Sequence, residues 1–272
     1  MAERYLYKFL LMMWLNSIWA FPSYGKISFA TFEFAPYTTI GEQGQLTGPF
    51  VDIVKEVCNR MENECDIRYW PQRRAKQLVN SGQSIAIFPI GWNEERMSTY
   101  YFSAPIVVSE YGFFIRKDFS TSLDVLKNLQ NLKVMVFSPS NTYSSLLTLQ
   151  EKLTNSGYEP MDIVKKTDAT LSILHMLNMR RVDAYYSNRD VGQFKIQTLN
   201  LDNIVYGWGY QEVVYFVAFP KEHVTQELVR RFNQALLGFM VNNPLFLEIL
   251  STYRLSPAPM SEKILDMYGV IR

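Results

Sequence analysis

The chain has 272 residues, 48% hydrophobic and 19% charged, so it is long enough for two ordinary domains with substantial cores and too apolar to be disordered. Its 27 Lys and Arg against 26 Asp and Glu give a net charge of +1, which offers no electrostatic basis for binding nucleic acid. With two Cys and two His, a zinc site would need all four to converge at spacings that fit none of the usual patterns, and a mean hydropathy of −0.08 excludes a polytopic membrane protein.

The N-terminus reads MAERYLYKFLLMMWLNSIWAFPSYGK. Arg4 and Lys8 make a positive start, and Phe9 to Phe21 is apolar except for Asn16 and Ser17. That run is shorter than the roughly 20 apolar residues that span a bilayer. Charge, apolar run and small residues come in the order of a secretory signal peptide, expected over residues 1–25 with cleavage at Ser23-Tyr24-Gly25 or near Ala20. The other reading is a buried or amphipathic first helix. Removing the segment takes away Glu3, Arg4 and Lys8 and leaves the charges balanced. Export also places the cysteines in an oxidising compartment, where a pair is more often a disulfide than two thiols.

Gly25 to Phe34 alternates and is rich in β-formers, which predicts a first strand broken by Ala35-Pro36-Tyr37. Gly41 to Gly48 is a turn, and Pro49 opens a helix where its missing N–H costs nothing. Phe50, Ile53, Val54, Val57 and Met61 form the apolar stripe of that helix, and Asp52 in its first turn suits the dipole. On one continuous helix Cys58 and Cys65 would stand about 10.5 Å apart along the axis, beyond the roughly 7 Å between Cα atoms that a disulfide spans. If they pair, the helix ends between them, with Asn63 as the terminating residue, and the bond ties the helix end to a strand beginning at Asp66. Further on, the pattern predicts a helix over 74–81, strands over 85–90, 111–115 and 132–137, and helices over 144–155 and 167–179. A short strand over 184–186, a strand over 213–219 and a helix over 225–241 complete it, the last with Leu228, Phe232, Ala235, Leu236 and Phe239 on one face. The alternation predicts an α/β protein with mainly parallel sheets.

Five passages, in order, resemble one family. They are FEFAPYTTIGEQGQLTGPFVDIVKEVCNRM (32–61), EERMSTYYFSAPIVVSEYGFFIRKD (94–118), LQNLKVMVFSPSNTYSSLL (129–147), LNMRRVDAYYSN (177–188) and FVAFPKEHVTQELVRRFNQAL (216–236). They match the opening aromatic-x-Pro-aromatic segment and G-x-x-x-D helix, the E-R and F-S-x-P motifs, the strand and turn near 140, the R-V-D-A segment, and a late helix with N-x-A-L. The chain is therefore similar to the periplasmic solute-binding proteins of family 3, the polar amino-acid type, over nearly all of residues 26–260. The Cys58/Cys65 spacing also resembles a disulfide of the basic amino-acid binders in that group. The resemblance implies a type II periplasmic-binding fold: two α/β lobes joined by two crossing strands, with ligand held between them. It places lobe one at 26–108 plus 220–272 and lobe two at 109–219.

Arg96 is the sharpest ligand candidate. Its guanidinium fork matches a carboxylate bidentately, and the arginine of the family's E-R motif binds the ligand's α-carboxylate. The competing view is a surface arginine on a polar loop. Ser140 and Asn141 lie where a strand hands over to a helix, a place where backbone N–H groups can hold an anion, although Pro139 replaces the family's glycine; a plain helix cap is the alternative. Asn188 stands where amino-acid binders of the family carry an aspartate for the ligand's ammonium, and Asp190, two residues away, could substitute for it if the loop is rearranged. Gly91 and Asn93 stand where the family has threonines. Phe34 matches the family's stacking aromatic, and Trp92 lies beside Arg96 as a second wall, with core packing the alternative for both. Arg74 matches a Pro-Trp-x-Arg-Ala subgroup, with Gln72 in place of the tryptophan, and would add charge to the cleft or sit in solvent at a helix start. Trp208 and Tyr210 read as packing between lobes.

These features predict a monomeric periplasmic protein that captures a small, carboxylate-bearing polar solute such as an amino acid and delivers it to an ABC-type permease. No catalytic residue, cofactor or metal is expected: His175 and His223 belong to no Ser/His/Asp set, and no Gly-rich phosphate loop is present. The alternatives are a periplasmic enzyme on the same scaffold, like the cyclohexadienyl dehydratases, with Glu33 as its acid, or a sensing module that reports to a membrane receptor.

Overall fold

The computed structural model describes residues 26–119, 125–167, 172–241 and 243–272; the expected signal peptide lies outside them. The first unit runs β1 (Ile27–Thr31), β2 (Thr39–Ile40), β3 (Leu46–Thr47), α1 (Pro49–Arg60), β4 (Cys65–Tyr69), α2 (Gln72–Asn80), β5 (Ala86–Gly91), α3 (Glu94–Thr99) and β6 (Tyr100–Phe102). The chain then crosses on β7 (Val107–Arg116). The second unit holds α4 (Val125–Leu129), β8 (Lys133–Phe137), α5 (Asn141–Asn155), β9 (Asp162–Lys166), α6 (Ser172–Asn178), β10 (Ala184–Asn188) and α7 (Arg189–Thr198). The chain returns on β11 (Ile204–Pro220) and ends with α8 (Gln226–Met240), α9 (Pro244–Thr252), β12 (Ser256–Pro257) and α10 (Glu262–Met267).

One sheet runs through the molecule in the order β4-β1-β5-β11-β7-β10-β8-β9, with β6 on β11 and β12 on β7. The β1–β4, β1–β5, β8–β9 and β8–β10 pairs are parallel. The pairs β5–β11, β7–β11 and β7–β10 are antiparallel, so the sheet is mixed where the sequence predicted mainly parallel pairing. The reason is the double crossing: β7 runs out and β11 runs back beside it. Their ladder extends from Ile204 opposite Arg116 to Tyr215 opposite Val107, broken at Tyr206/Trp208 and Gly209/Gln211. Such bulges bend a pair of strands, and here they fall in the middle of the crossing. Gly112 of β7 sits inside this bend, where a Cβ would stand 2.2 Å from the Tyr206 hydroxyl and 2.4 Å from the Trp208 carbonyl oxygen.

The sheet is covered on both sides. In β1 and β5, Phe29, Ala86 and Phe88 point into a core shared with α1 and α8, while Ala30, Ile87 and Ile90 point into a second core with Ala75 and Val79 of α2. A strand buried on both faces reads as an unbroken apolar run, which is why β5 was legible as a strand. β11 was legible only over its buried end. Its exposed half, Ile204 to Glu212, holds two glycines and no simple alternation, and pairing with β7 makes it a strand. α5 begins at Asn141, three residues before the predicted start, because the Ser140 side chain caps it. The helix predicted over 167–179 covers Ser172–Asn178, with 168–171 outside the described residues. β9, α7, α9 and α10, and the placing of Arg96 on a short helix, were not read from the sequence.

α1 ends at Arg60 and the chain turns through Glu62 at φ 55°, so Glu62 and not Asn63 takes the left-handed position. Asn63 is buried instead, and its Oδ1 accepts a bond from Arg231. The turn brings Cys58 and Cys65 to a Cα separation of 6.1 Å and they are joined. The bond fastens the end of α1 to β4, which pairs with β1 alone and lies at the sheet's edge. Replacing both cysteines by serine is expected to cost about 2–3 kcal/mol, because the closed loop is short. Urea unfolding of the oxidised and the Cys-free protein measures it, and equal midpoints would contradict it.

Candidate functional site

The two halves of the molecule meet across β7 and β11. On the β1 side, the turn after β1 folds back so that Phe34 and Thr38 exchange bonds, and Tyr37 N donates to the Phe34 carbonyl at 2.9 Å. The start of α1 fixes that turn from below: Phe50 N donates to the Tyr37 carbonyl, and Gly48, at φ 119°, lies where a Cβ would stand 2.6 Å from the same oxygen. Tyr37 is thereby held fully buried, with its ring 5.3 Å from Phe34 and 4.8 Å from Tyr215 of β11.

On the β8 side, β10 ends in Asn188, which caps α7 by accepting a bond from Val191 N at 3.0 Å. The Tyr37 hydroxyl crosses to this loop. It donates to Asp190 Oδ2 at 2.8 Å and lies 3.3 Å from Asn188 Oδ1. Asn188 Nδ2 in turn donates to the Tyr215 hydroxyl at 3.1 Å. Asp190 and Asn188 are buried, and Asp190 Oδ1 accepts from Arg189 Nε at 3.1 Å. Arg189 also pairs with Glu110 of β7. The result is a closed network across the two halves, Arg189–Asp190–Tyr37–Asn188–Tyr215.

Arg96 lies at the other end of this cluster. Asn93 caps α3 through its Oδ1, which accepts from Arg96 N at 2.8 Å. The Arg96 side chain turns back, and Nη1 donates to the Gly91 carbonyl at 2.6 Å. Gly91 lies against the second half: a Cβ there would stand 3.5 Å from Tyr215 Cε1 and 3.8 Å from Asn141 Nδ2. The charge of Arg96 is also felt by Tyr111, on β7, and by Lys76, on α2. Among the described residues, no carboxylate pairs with Arg96.

Burial dominates the titration of this cluster. It raises the hydroxyl of Tyr37 well above its ordinary value of 10.0, and the Asp190 charge adds to the effect. It raises Tyr215 in the same way, with Tyr111 and Tyr37 adding to it. Tyr111 is raised by burial, against the opposing pull of Tyr215 and Arg96. Lys76 is lowered, by burial first and then by Arg96. A tyrosine whose folded value lies above its unfolded value keeps its proton in the native state after the unfolded chain has lost it. Its contribution to stability is therefore complete below pH 10 and is lost as the pH rises beyond it. Urea midpoints are expected to hold to about pH 10 and to fall above it, less steeply in Tyr37→Phe. A midpoint that stays level to about pH 11 would contradict this.

The structure gathers Arg96, Asn93, Asn141, Asn188 and Phe34 around the meeting of the two halves. Ser140 serves as the cap of α5: its Oγ accepts from Tyr143 N and donates to the Phe137 carbonyl. Trp92 packs edge-on against Tyr268 at 5.4 Å, and its Nε1 is buried without a partner. Arg74 is exposed on α2 and is not brought to the cluster; Lys76, two residues on, is. Trp208 stacks on Phe113 at 5.1 Å within the crossing strands. Glu33 is exposed. Tyr37, Tyr111 and Tyr215 were not selected from the sequence as site residues, and Asp190 was raised there only as a substitute for the aspartate missing at 188. Tyr37 closes the aromatic-x-Pro-aromatic segment, and that position was the available signal. A cavity of about 220 Å3 beside Arg116, Asp118 and Arg180, and one of about 400 Å3 beside Gln193, Tyr206 and Arg254, are lined by neither Arg96 nor Asn188. Among the described residues, no group of His, Cys, Asp and Glu could hold a metal ion.

Two α/β units on one bent, doubly crossed pair of strands, with polar side chains from both facing each other at the crossing, define a two-lobed binding protein. The chain belongs to family 3 of the bacterial extracellular solute-binding proteins, whose profile matches residues 27–250. No curated protein matches it in sequence. Among solved structures it is similar to a histidine kinase sensor domain that itself resembles periplasmic binding proteins, with 18% identity, 87% of this chain and 99% of that one covered, and a TM-score of 0.72. It is similar to a chain from the GshT glutathione-import system of Streptococcus mutans, with 16% identity, 86% and 97% covered, and a TM-score of 0.72. It is also similar to a mutant of the T. maritima protein ArgBP, with 18% identity, 85% and 95% covered, and a TM-score of 0.65. At these identities the likeness establishes the fold, the type II periplasmic-binding architecture expected from the sequence.

Proposed function

We propose that this protein captures a small, carboxylate-bearing polar solute in the periplasm by closing its lobes, and that it hands the solute to an ABC-type permease. The observation that carries the reading is Arg96: a partly buried guanidinium at the lobe junction, held in direction by the Gly91 carbonyl and without an acid partner among the described residues. A guanidinium so placed offers a carboxylate two parallel hydrogen bonds. Asn141 and the first turn of α5 approach from the other side, so an anion on Arg96 would be gripped by both lobes. We place the lobes at 26–108 with 220–272 and at 109–219, the crossing strands acting as hinge. Residues 1–25 serve as the export signal, and the protein acts as a monomer.

The test is calorimetric titration and thermal unfolding of the oxidised protein against a panel of amino acids, dicarboxylates, amines and short peptides. A ligand that binds the folded state alone raises the midpoint by mass action. Binding of a carboxylate that is lost in Arg96→Ala supports the reading; binding only of amines contradicts it. The similarity to a kinase sensor domain favours a second reading, in which the closed form reports to a membrane receptor. Co-purification with permease subunits or with a sensor kinase separates the two.

A further inference from the structure

We infer that the solute held at Arg96 is an organic anion without an ammonium group, because Tyr37 and Arg189 already occupy the acidic acceptors of the cluster. The inference rests on the carboxylate-capture reading and narrows its ligand class. An α-amino acid presents a carboxylate and an ammonium a few ångströms apart, and binding it in a dry cleft needs an anionic or strongly accepting group for the second charge. The acids that face the cluster already have partners, and the buried Ser109 hydroxyl beside Tyr37, which has none among the described residues, is neutral. Asp190 Oδ2 takes the Tyr37 hydroxyl at 2.8 Å and Oδ1 takes Arg189 at 3.1 Å. Asn188 Oδ1 takes Val191 N at 3.0 Å and faces Tyr37 at 3.3 Å. Glu110 is paired with Arg189 at 3.1 Å. The acids nearest Arg96 in sequence, Glu94 and Glu95, are exposed, and so is Glu212 near Tyr268.

The unspent groups are of the opposite kind. Arg96 gives one N–H to a carbonyl and meets no carboxylate among the described residues. Lys76, half-buried, stands within reach of its charge. The indole N–H of Trp92, next to Gly91, is buried without an acceptor among the described residues. A cluster with surplus positive charge and surplus donors is complementary to an anion and repels an ammonium. An ammonium would have to share Asp190 with Tyr37 and Arg189, weakening charge-assisted bonds in a buried place.

The experiment is a comparison of matched pairs by calorimetry on the purified, oxidised protein: propionate with L-alanine, succinate with L-aspartate, and glutarate with L-glutamate. The expected result is that at least one amine-free acid binds about tenfold or more tightly than its amino partner, through Arg96. In Tyr37→Phe the ring stays and the hydroxyl goes, which exposes the Asp190 carboxylate. That variant is expected to narrow the gap by raising affinity for the amino acid relative to its amine-free partner. An amino acid that binds the native protein as tightly as its partner overturns this inference and leaves carboxylate capture standing. A gap unchanged in Tyr37→Phe, with the variant folded by circular dichroism, overturns the role of Tyr37. Failure of every carboxylate to bind overturns both this inference and the reading beneath it.

Discussion

Arg96→Ala is expected to weaken binding of any carboxylate ligand by roughly 30- to 1,000-fold, the consequence of losing about 2–4 kcal/mol of charge-assisted bonding at a partly buried site. The side chain makes one hydrogen bond inside the protein, to the Gly91 carbonyl, and no ion pair among the described residues. The fold therefore depends little on it, and the thermal midpoint without ligand is expected to shift by about 2 °C or less. Arg96→Lys keeps the charge but loses the planar fork, so it is expected to recover only part of the affinity. Calorimetry reads all three proteins against one ligand. Full binding by Arg96→Ala would remove the anchor from the reading above. An unfolded Arg96→Ala would show that the guanidinium is structural.

Asn233→Leu is expected to lower stability by about 2–5 kcal/mol, or roughly 5–15 °C in midpoint, with no direct effect on the ligand cluster. Asn233 lies on the buried face of α8, fully buried. Its Oδ1 accepts from Ala104 N at 2.9 Å, and its Nδ2 donates to the Ile271 carbonyl at 2.8 Å. The side chain thus ties the approach to β7 and the chain's C-terminal end to one helix. Leucine has nearly the same shape but satisfies neither group, and both stay buried. Gln234→Leu, one residue on and exposed, is the control, expected within about 0.5 kcal/mol of the parent. Thermal or urea unfolding decides it; a shift in Asn233→Leu no larger than in the control would show that water or local movement satisfies both groups.

Asn233 also explains why so much of the fold was legible. It is the first residue of the N-x-A-L passage that carried the family resemblance, and its neighbours in that resemblance do similar work. Ser103, in the F-S-x-P passage, accepts Val217 N and donates to the Ala104 carbonyl just before the crossing strand. Asp183, in the R-V-D-A passage, accepts Lys133 N and sets the start of β8 beside β10. These motifs are joints of the scaffold: each is one side chain bonding to backbone at a fixed place, so residue type and spacing record it directly. The ligand cluster has no such record. Asp190 is visible only as a neighbour that could substitute for the aspartate missing at 188, and Tyr37 looks like core until its hydroxyl is seen to reach a carboxylate 153 residues away.

The sequence by itself determined the α/β class and the disulfide pairing expected after export, and through its family motifs the two-lobed plan and Arg96 as the ligand candidate, because local periodicity, turn chemistry and short motifs are recorded in neighbouring residues. Only the tertiary structure decided that the sheet is mixed, that Arg74 stays in solvent, and which acids at the lobe junction already have partners. Those depend on which strands lie side by side and on where side chains from distant segments meet, and no stretch of neighbouring residues carries that information.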